Sequence, residues 1–206
     1  MLHLPFNHTI SIMLITIAIS LIAFSKQVVM NRLIFWPPAI QQQGQYDRFI
    51  GHGFIHADGM HLFFNMFTLF FFGNVIEHFY RNYLYDMGFV LFYLGGLVAA
   101  IIPSYLKHKN DTHWASLGAS GAVSAVLFAY ILFKPWHIIY VYFIPIPAIV
   151  FAVLYVGYSV WASKKSNSNI NHSAHLWGAA YGVITTIIIE PDLLLYFLNT
   201  VIRPPF

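Results

Sequence analysis

Ala115-Ser116-Leu117-Gly118-Ala119-Ser120-Gly121-Ala122-Val123-Ser124-Ala125-Val126-Leu127-Phe128-Ala129-Tyr130-Ile131-Leu132-Phe133 runs without a single charged residue. A helix needs roughly 20 predominantly apolar residues to cross the hydrocarbon core of a bilayer, so this stretch reads as a membrane span. Comparable runs occupy residues 10–24, 60–79, 87–105, 138–161 and 173–189. Each is predicted as a helix, with its ends placed to within about four residues. Six crossings put both termini on one side. A final apolar stretch, 193–202, is too short to cross and is expected at the membrane surface.

Composition points the same way. Of the 206 residues, 59% are hydrophobic and 8% charged, where a soluble domain carries roughly 25% charge. The expected fold is therefore all-α: a polytopic membrane protein of six transmembrane helices, forming a single domain over residues 1–206. The first run lacks a basic leader and a small-residue cleavage site, and reads as a retained span. The net charge of +3 is scattered over the connectors with no basic block, so nucleic-acid binding gains no support. The absence of cysteine excludes disulfides, thiolate metal sites and a cysteine nucleophile. No internal repeat is visible, which weakens a transporter built from duplicated halves.

Polar side chains within spans are costly and mark candidate sites. Ser120 lies in Gly118-Ala119-Ser120-Gly121 at the expected first turn of the fourth span, where unpaired backbone N–H groups face any developing anion. The competing reading is a small-residue packing face. The sixth span opens on Ala174-His175-Leu176-Trp177-Gly178, and Gly182 follows one turn later. Gly178 and Gly182 leave a groove for a close neighbour, with His175 at its edge. Were the fourth and sixth spans to pack through their small faces, Ser120 and His175 would share one depth, and a serine needs such a base.

His52, His56, His61 and Asn65 cluster before and at the start of the second span. His61 and Asn65 are four apart and share a helix face, so both, with the Ser120 N–H, could stabilise an oxyanion. His52 and His56 also have the spacing of a helical metal pair. A membrane metalloprotein using His52, His56, His61 and His172 is thus the second reading, ranked lower because acids are few nearby. Arg48, Gly73 and Glu77 read as structural, Glu77 capping loop backbone or pairing with Arg81. No carboxylate neighbours His175 in sequence, so a Ser-His dyad without aspartate is expected, with no metal and no cofactor.

Taken in order, Arg48, His52, His56, His61-x-x-x-Asn65, Gly118-x-Ser120-Gly121 and Ala174-His175-x-x-Gly178-x-x-x-Gly182 resemble the rhomboid family of intramembrane serine proteases, over a core of residues 48–182. The resemblance implies cleavage of other proteins' transmembrane segments, with Ser120 as nucleophile, His175 as general base, and His61 and Asn65 as oxyanion donors. The partners it implies are transmembrane substrates and the lipid bilayer; it leaves the oligomeric state open. It further implies a bacterial inner membrane with the site opening to the periplasm. Charge bias argues the opposite orientation, since Lys26, Arg32, Arg48, Lys107, Lys109, Lys164 and Lys165 fall on the site's side, against Arg81, Lys134 and Arg203. Two positions depart from the family pattern: Ser124, where an aromatic residue often stacks on the catalytic histidine, and Asp47, where tryptophan is common. The connector 163–173 is expected to act as a mobile cap.

Overall fold

The computed structural model describes residues 7–141, 143–164 and 170–204; the middle of the expected cap, residues 165–169, lies outside them. The chain runs α1 (His8–Ser25), α2 (Gln27–Leu33), α3 (Pro37–Gln43), α4 (Arg48–Gly51), a 3-10 turn (His52–Phe54), α5 (Gly59–Leu84), α6 (Gly88–His108), α7 (Ser120–Phe133), β1 (Ile138–Val141), β2 (Ile144–Pro147), α8 (Ala148–Ser163), α9 (His172–Ile189) and α10 (Asp192–Ile202). It is an all-α membrane bundle. Helices α1, α5 and α6 are each long and apolar enough to cross a membrane, and α9 with α10 would pass together but for a 116° bend between them. Apolar side chains cover the outside: Phe63, Phe67, Phe70 and Phe71 of α5 are exposed, as lipid-facing residues should be.

Two expected spans are corrected. The fourth begins at Ser120, five residues later than Ala115, because Gly118 adopts φ +112°, a left-handed region closed to most side chains, and breaks any helix there. The fifth does not begin at Ile138. Residues 138–141 and 144–147 instead form an antiparallel pair of strands, matching Ile138 with Pro147 and Val141 with Ile144. Pro145 and Pro147 lack the N–H groups a helix interior requires, and the β-branched Ile138, Ile139 and Val141 fit an extended strand better. Apolar length alone does not register these breaks. The stretch 193–202 forms α10, and the Trp136 indole N–H donates to the Thr200 carbonyl at 2.9 Å, fixing this helix beneath the end of α7.

Helix α7 is the axis of the bundle, with every residue from Gly121 to Leu132 buried. Its fourteen residues span only about 21 Å at the α-helical rise, short of the roughly 30 Å hydrocarbon core. Residues 115–119 lead to its start at Ser120 without helical structure. Helix α9 lies directly along α7. A Cβ on Gly178 would fall 2.1 Å from the Gly121 carbonyl oxygen, and one on Gly182 would fall 2.2 Å from that of Ala125. On another face, Gly96 of α6 approaches the Ala122 backbone.

Remaining anchors sit at helix ends. Glu77, buried within α5, accepts the N–H groups of His8 and Thr9 at 2.8 Å each and the Thr9 hydroxyl at 2.6 Å. It thereby caps the start of α1, where a carboxylate also meets the positive end of the helix dipole. Arg81 turns to Asp86 instead. Arg48 is buried and donates to the Asn31 and Ile34 carbonyls at the end of α2 and, through Nε, to Gln45 at 2.7 Å. Beside it, Asp47 accepts from Arg32 at 2.6 Å, so the departure at position 47 ties the connector down by an ion pair.

Since the atoms opposite Gly182 are backbone atoms of Ala125, no rotamer change relieves a clash there. Gly182→Ala is expected to lower the unfolding midpoint in detergent by an amount equivalent to about 1–3 kcal/mol. An unchanged midpoint would mean that α7 and α9 are not in backbone contact.

Candidate active site

Three helix starts converge on one face of the bundle, and two of them are capped by a side chain. Asp58 accepts the His61 N–H at 2.8 Å at the head of α5, and Asn171 accepts the Ala174 N–H at 3.1 Å at the head of α9. The head of α7 has no side-chain cap. Its first N–H groups, at Ser120 and the residues just after, therefore keep their donor capacity.

Between these ends is a cavity of about 850 Å³, with Ser120, His175, His61, Asn65 and Tyr155 in its wall. His175 Nε2 lies 2.8 Å from Ser120 Oγ, within normal hydrogen-bond length. The α7–α9 glycine contact makes this possible, since His175 is one turn before Gly178 on the same helix. Among the described residues no carboxylate hydrogen-bonds to His175. Asn65 is buried and donates to the His61 carbonyl at 2.9 Å. The His61 ring lies over Gly118, so close that a Cβ there would fall 2.6 Å from Cε1. Gly118 is thus required both for its backbone conformation and for this approach.

His52 and His56 are not part of the Ser120–His175 pair; His52 forms part of the cavity's floor, and His56 is fully buried. His56 has a consistent set of partners: Ala119 N–H donates to Nε2 at 3.3 Å, and Nδ1 meets Ser20 Oγ at 3.0 Å while that hydroxyl donates to the Phe54 carbonyl. This pattern assigns a neutral ring protonated on Nδ1. His52 accepts the Gly118 N–H through its backbone carbonyl at 2.9 Å, and its buried ring packs edge-on against Phe35. His56 and His61 meet ring to ring at 4.9 Å, but among the described residues no three His, Asp or Glu side chains are grouped to hold a metal ion.

Two residues beside the pair were not singled out from the sequence. Asn171 links the head of α9 to Ser104 of α6 at 3.1 Å and to Ser116 at 3.3 Å; an asparagine three residues before Ala174 is a recognisable N-cap. Tyr155 of α8 bonds Ser124 and stacks on His175. An aromatic residue within an apolar run carries no sequence signal for that role.

Comparison with known proteins identifies relatives of the chain. The family model of the Rhomboid domain matches residues 43–191, well over half the chain. RHOMBOID-like protein 12, mitochondrial, of Arabidopsis thaliana is 30% identical over 178 residues, covering 78% of this chain and 51% of that protein. Rhomboid protease GlpG of Haemophilus influenzae is 28% identical over 154 residues, covering 74% of each. The chain spans about half the length of the first relative.

Burial holds two histidines neutral, lowering His52 from 6.5 to about 4 and His56 from 6.5 to about 3. In the unfolded chain each takes up a proton below about 6.5. Their contribution to stability is therefore complete above pH 6.5 and declines as pH falls toward the folded values, by up to about 1.4 kcal/mol per pH unit for each histidine. The unfolding midpoint in detergent is expected to drop between pH 7 and pH 5, and to drop less in His56→Asn. A flat profile would contradict the neutral, buried assignment.

Proposed function

The chain belongs to the rhomboid family, and on that premise we propose that it is an intramembrane serine endopeptidase working through a Ser120-His175 dyad. The observation that carries this reading is the 2.8 Å contact between His175 Nε2 and Ser120 Oγ. A serine hydroxyl is a weak nucleophile until a neighbouring base accepts its proton.

In this reading Ser120 Oγ attacks the scissile carbonyl carbon while His175 Nε2 takes the hydroxyl proton. The carbonyl oxygen becomes an oxyanion, met by the uncapped Ser120 N–H, His61 and Asn65, donors that need no reorganisation during the reaction. His175 then returns the proton to the departing amine as the C–N bond breaks. Water, deprotonated by the same ring, releases the acyl group from Ser120 and regenerates the hydroxyl. His52, His56, Arg48 and Glu77 act by holding the backbone under and around the site, and Gly118, Gly121, Gly178 and Gly182 by permitting the close approaches.

The substrates are membrane proteins cut within or beside a transmembrane segment. A helical backbone hides its carbonyls in hydrogen bonds, so helix-destabilising residues and a small side chain at the cut are preferred. The site opens toward the connectors between α1 and α5, α6 and α7, and α8 and α9. For a bacterial inner membrane this would be the periplasmic face, although the mitochondrial relative leaves an organelle membrane equally compatible.

Nucleophile, base and oxyanion donors are expected to fail differently. With a purified model transmembrane substrate, Ser120→Ala and His175→Ala should reduce cleavage to background while the protein stays folded. Asn65→Ala removes one donor among several, for which a loss on the order of 100-fold is the guide. His52→Ala and His56→Ala should lower the unfolding midpoint more than the rate. Cleavage retained in Ser120→Ala, with His52→Ala or His56→Ala abolishing both activity and bound metal, would replace this reading with a metalloprotein.

A further inference from the structure

The aim of His175 requires an explanation. No carboxylate among the described residues fixes its ring, yet Nε2 has to point at Ser120 Oγ for the pair to work. Two rings surround it. His172, one turn earlier on α9, presents its edge at 5.9 Å and 79°. Tyr155 of α8 lies nearly parallel, at 18° with centroids 6.0 Å apart, an offset stack within the usual range for aromatic pairs.

Tyr155 is itself held. Its hydroxyl is 2.7 Å from Ser124 Oγ, and the rings of Phe128 and Phe151 pack on it at 5.5 and 5.4 Å. The inward stripe of α8 consists of Ala148, Ala152, Ser159 and Ala162, all buried, with Tyr155 the one large side chain at the same spacing. Elsewhere on α8, Val153, Leu154 and Tyr158 are exposed. Ser124 lies one turn below Ser120 on α7, and as a buried small residue it leaves room for a ring entering from α8.

Resting on the dyad reading above, we propose that Tyr155 is the positioning residue of His175. Its ring face fixes the plane of the imidazole, and its bond to Ser124 fixes the ring to the helix that carries the nucleophile. The element that orients the base thus arrives from α8, and catalytic alignment depends on the seating of that helix against α7.

The test is steady-state cleavage of a model transmembrane substrate by full-length protein in detergent, with the unfolding midpoint measured for every variant. Tyr155→Leu keeps apolar bulk but removes the ring, and is expected to lower kcat roughly 10- to 100-fold with KM little changed, as misalignment of a catalytic group does. Tyr155→Phe keeps the ring and loses one hydrogen bond, so a loss of about three- to tenfold is expected. The double variant Tyr155→Ala with Ser124→Tyr moves ring and hydroxyl onto α7 at nearly constant volume, and is expected to recover most of the kcat that Tyr155→Ala alone loses. A purely structural role would lower the midpoint of Tyr155→Leu without this kcat pattern. Wild-type kcat in Tyr155→Leu, or no recovery in the double variant, overturns the proposal while leaving the dyad standing. Ser120→Ala as active as wild type overturns the dyad itself.

Discussion

Buried backbone that is not helical needs protein partners for its hydrogen-bonding groups, and residues 115–119, buried at Gly118 and Ala119, are such a case. They lead to the head of α7, and the connector between α1 and α5 meets their polar groups. Phe35 and Ser116 exchange both backbone bonds, at 2.9 and 3.0 Å. The Gly118 N–H donates to the His52 carbonyl, and the Ala119 N–H to His56 Nε2. Without those partners the buried N–H groups of Gly118 and Ala119 would be left unpaired at the head of α7, beside Ser120. The connector is in turn fixed by Arg48 on the end of α2 and by the rings of Phe49, Tyr105 and Trp114 around Phe35.

The second requirement is proximity of α7 and α9. Between transmembrane helices the lipid supplies no hydrophobic drive, so association rests on close packing, and small residues set the distance. Here the contact is backbone on backbone at Gly121 with Gly178 and at Ala125 with Gly182. One turn before Gly178 the same geometry brings imidazole and hydroxyl together. The spacing of Ser120 and His175 and the packing of the bundle are thus two consequences of one pair of glycines, which is why a stripe of small residues and Ser120 coincide on α7.

This relation also explains what could be read from the sequence. Gly178 and Gly182, His175 just before them, and Ser120 among small residues form periodic patterns on two helices, and periodicity is what sequence reveals. Glu77 and Arg48 stood out because charge is rare in this chain. The breaks were less visible. Gly118 interrupts a run that hydropathy treats as continuous, and Pro145 and Pro147 fold an apolar stretch into paired strands, so helices predicted from Ala115 and Ile138 begin at Ser120 and Ala148. Tyr155 was invisible for a different reason: its partners Ser124 and His175 are distant in sequence, and only the packing of α8 on α7 joins them.

The account stands on Ser120 being a nucleophile activated by His175 at an uncapped helix head. The most direct measurement is to treat the detergent-solubilised protein with a serine-directed fluorophosphonate and locate the adduct by mass spectrometry. The account predicts one stoichiometric adduct on Ser120, lost in His175→Ala. Labelling at other serines with Ser120 unmodified, or equal labelling of Ser120 with and without His175, would contradict it.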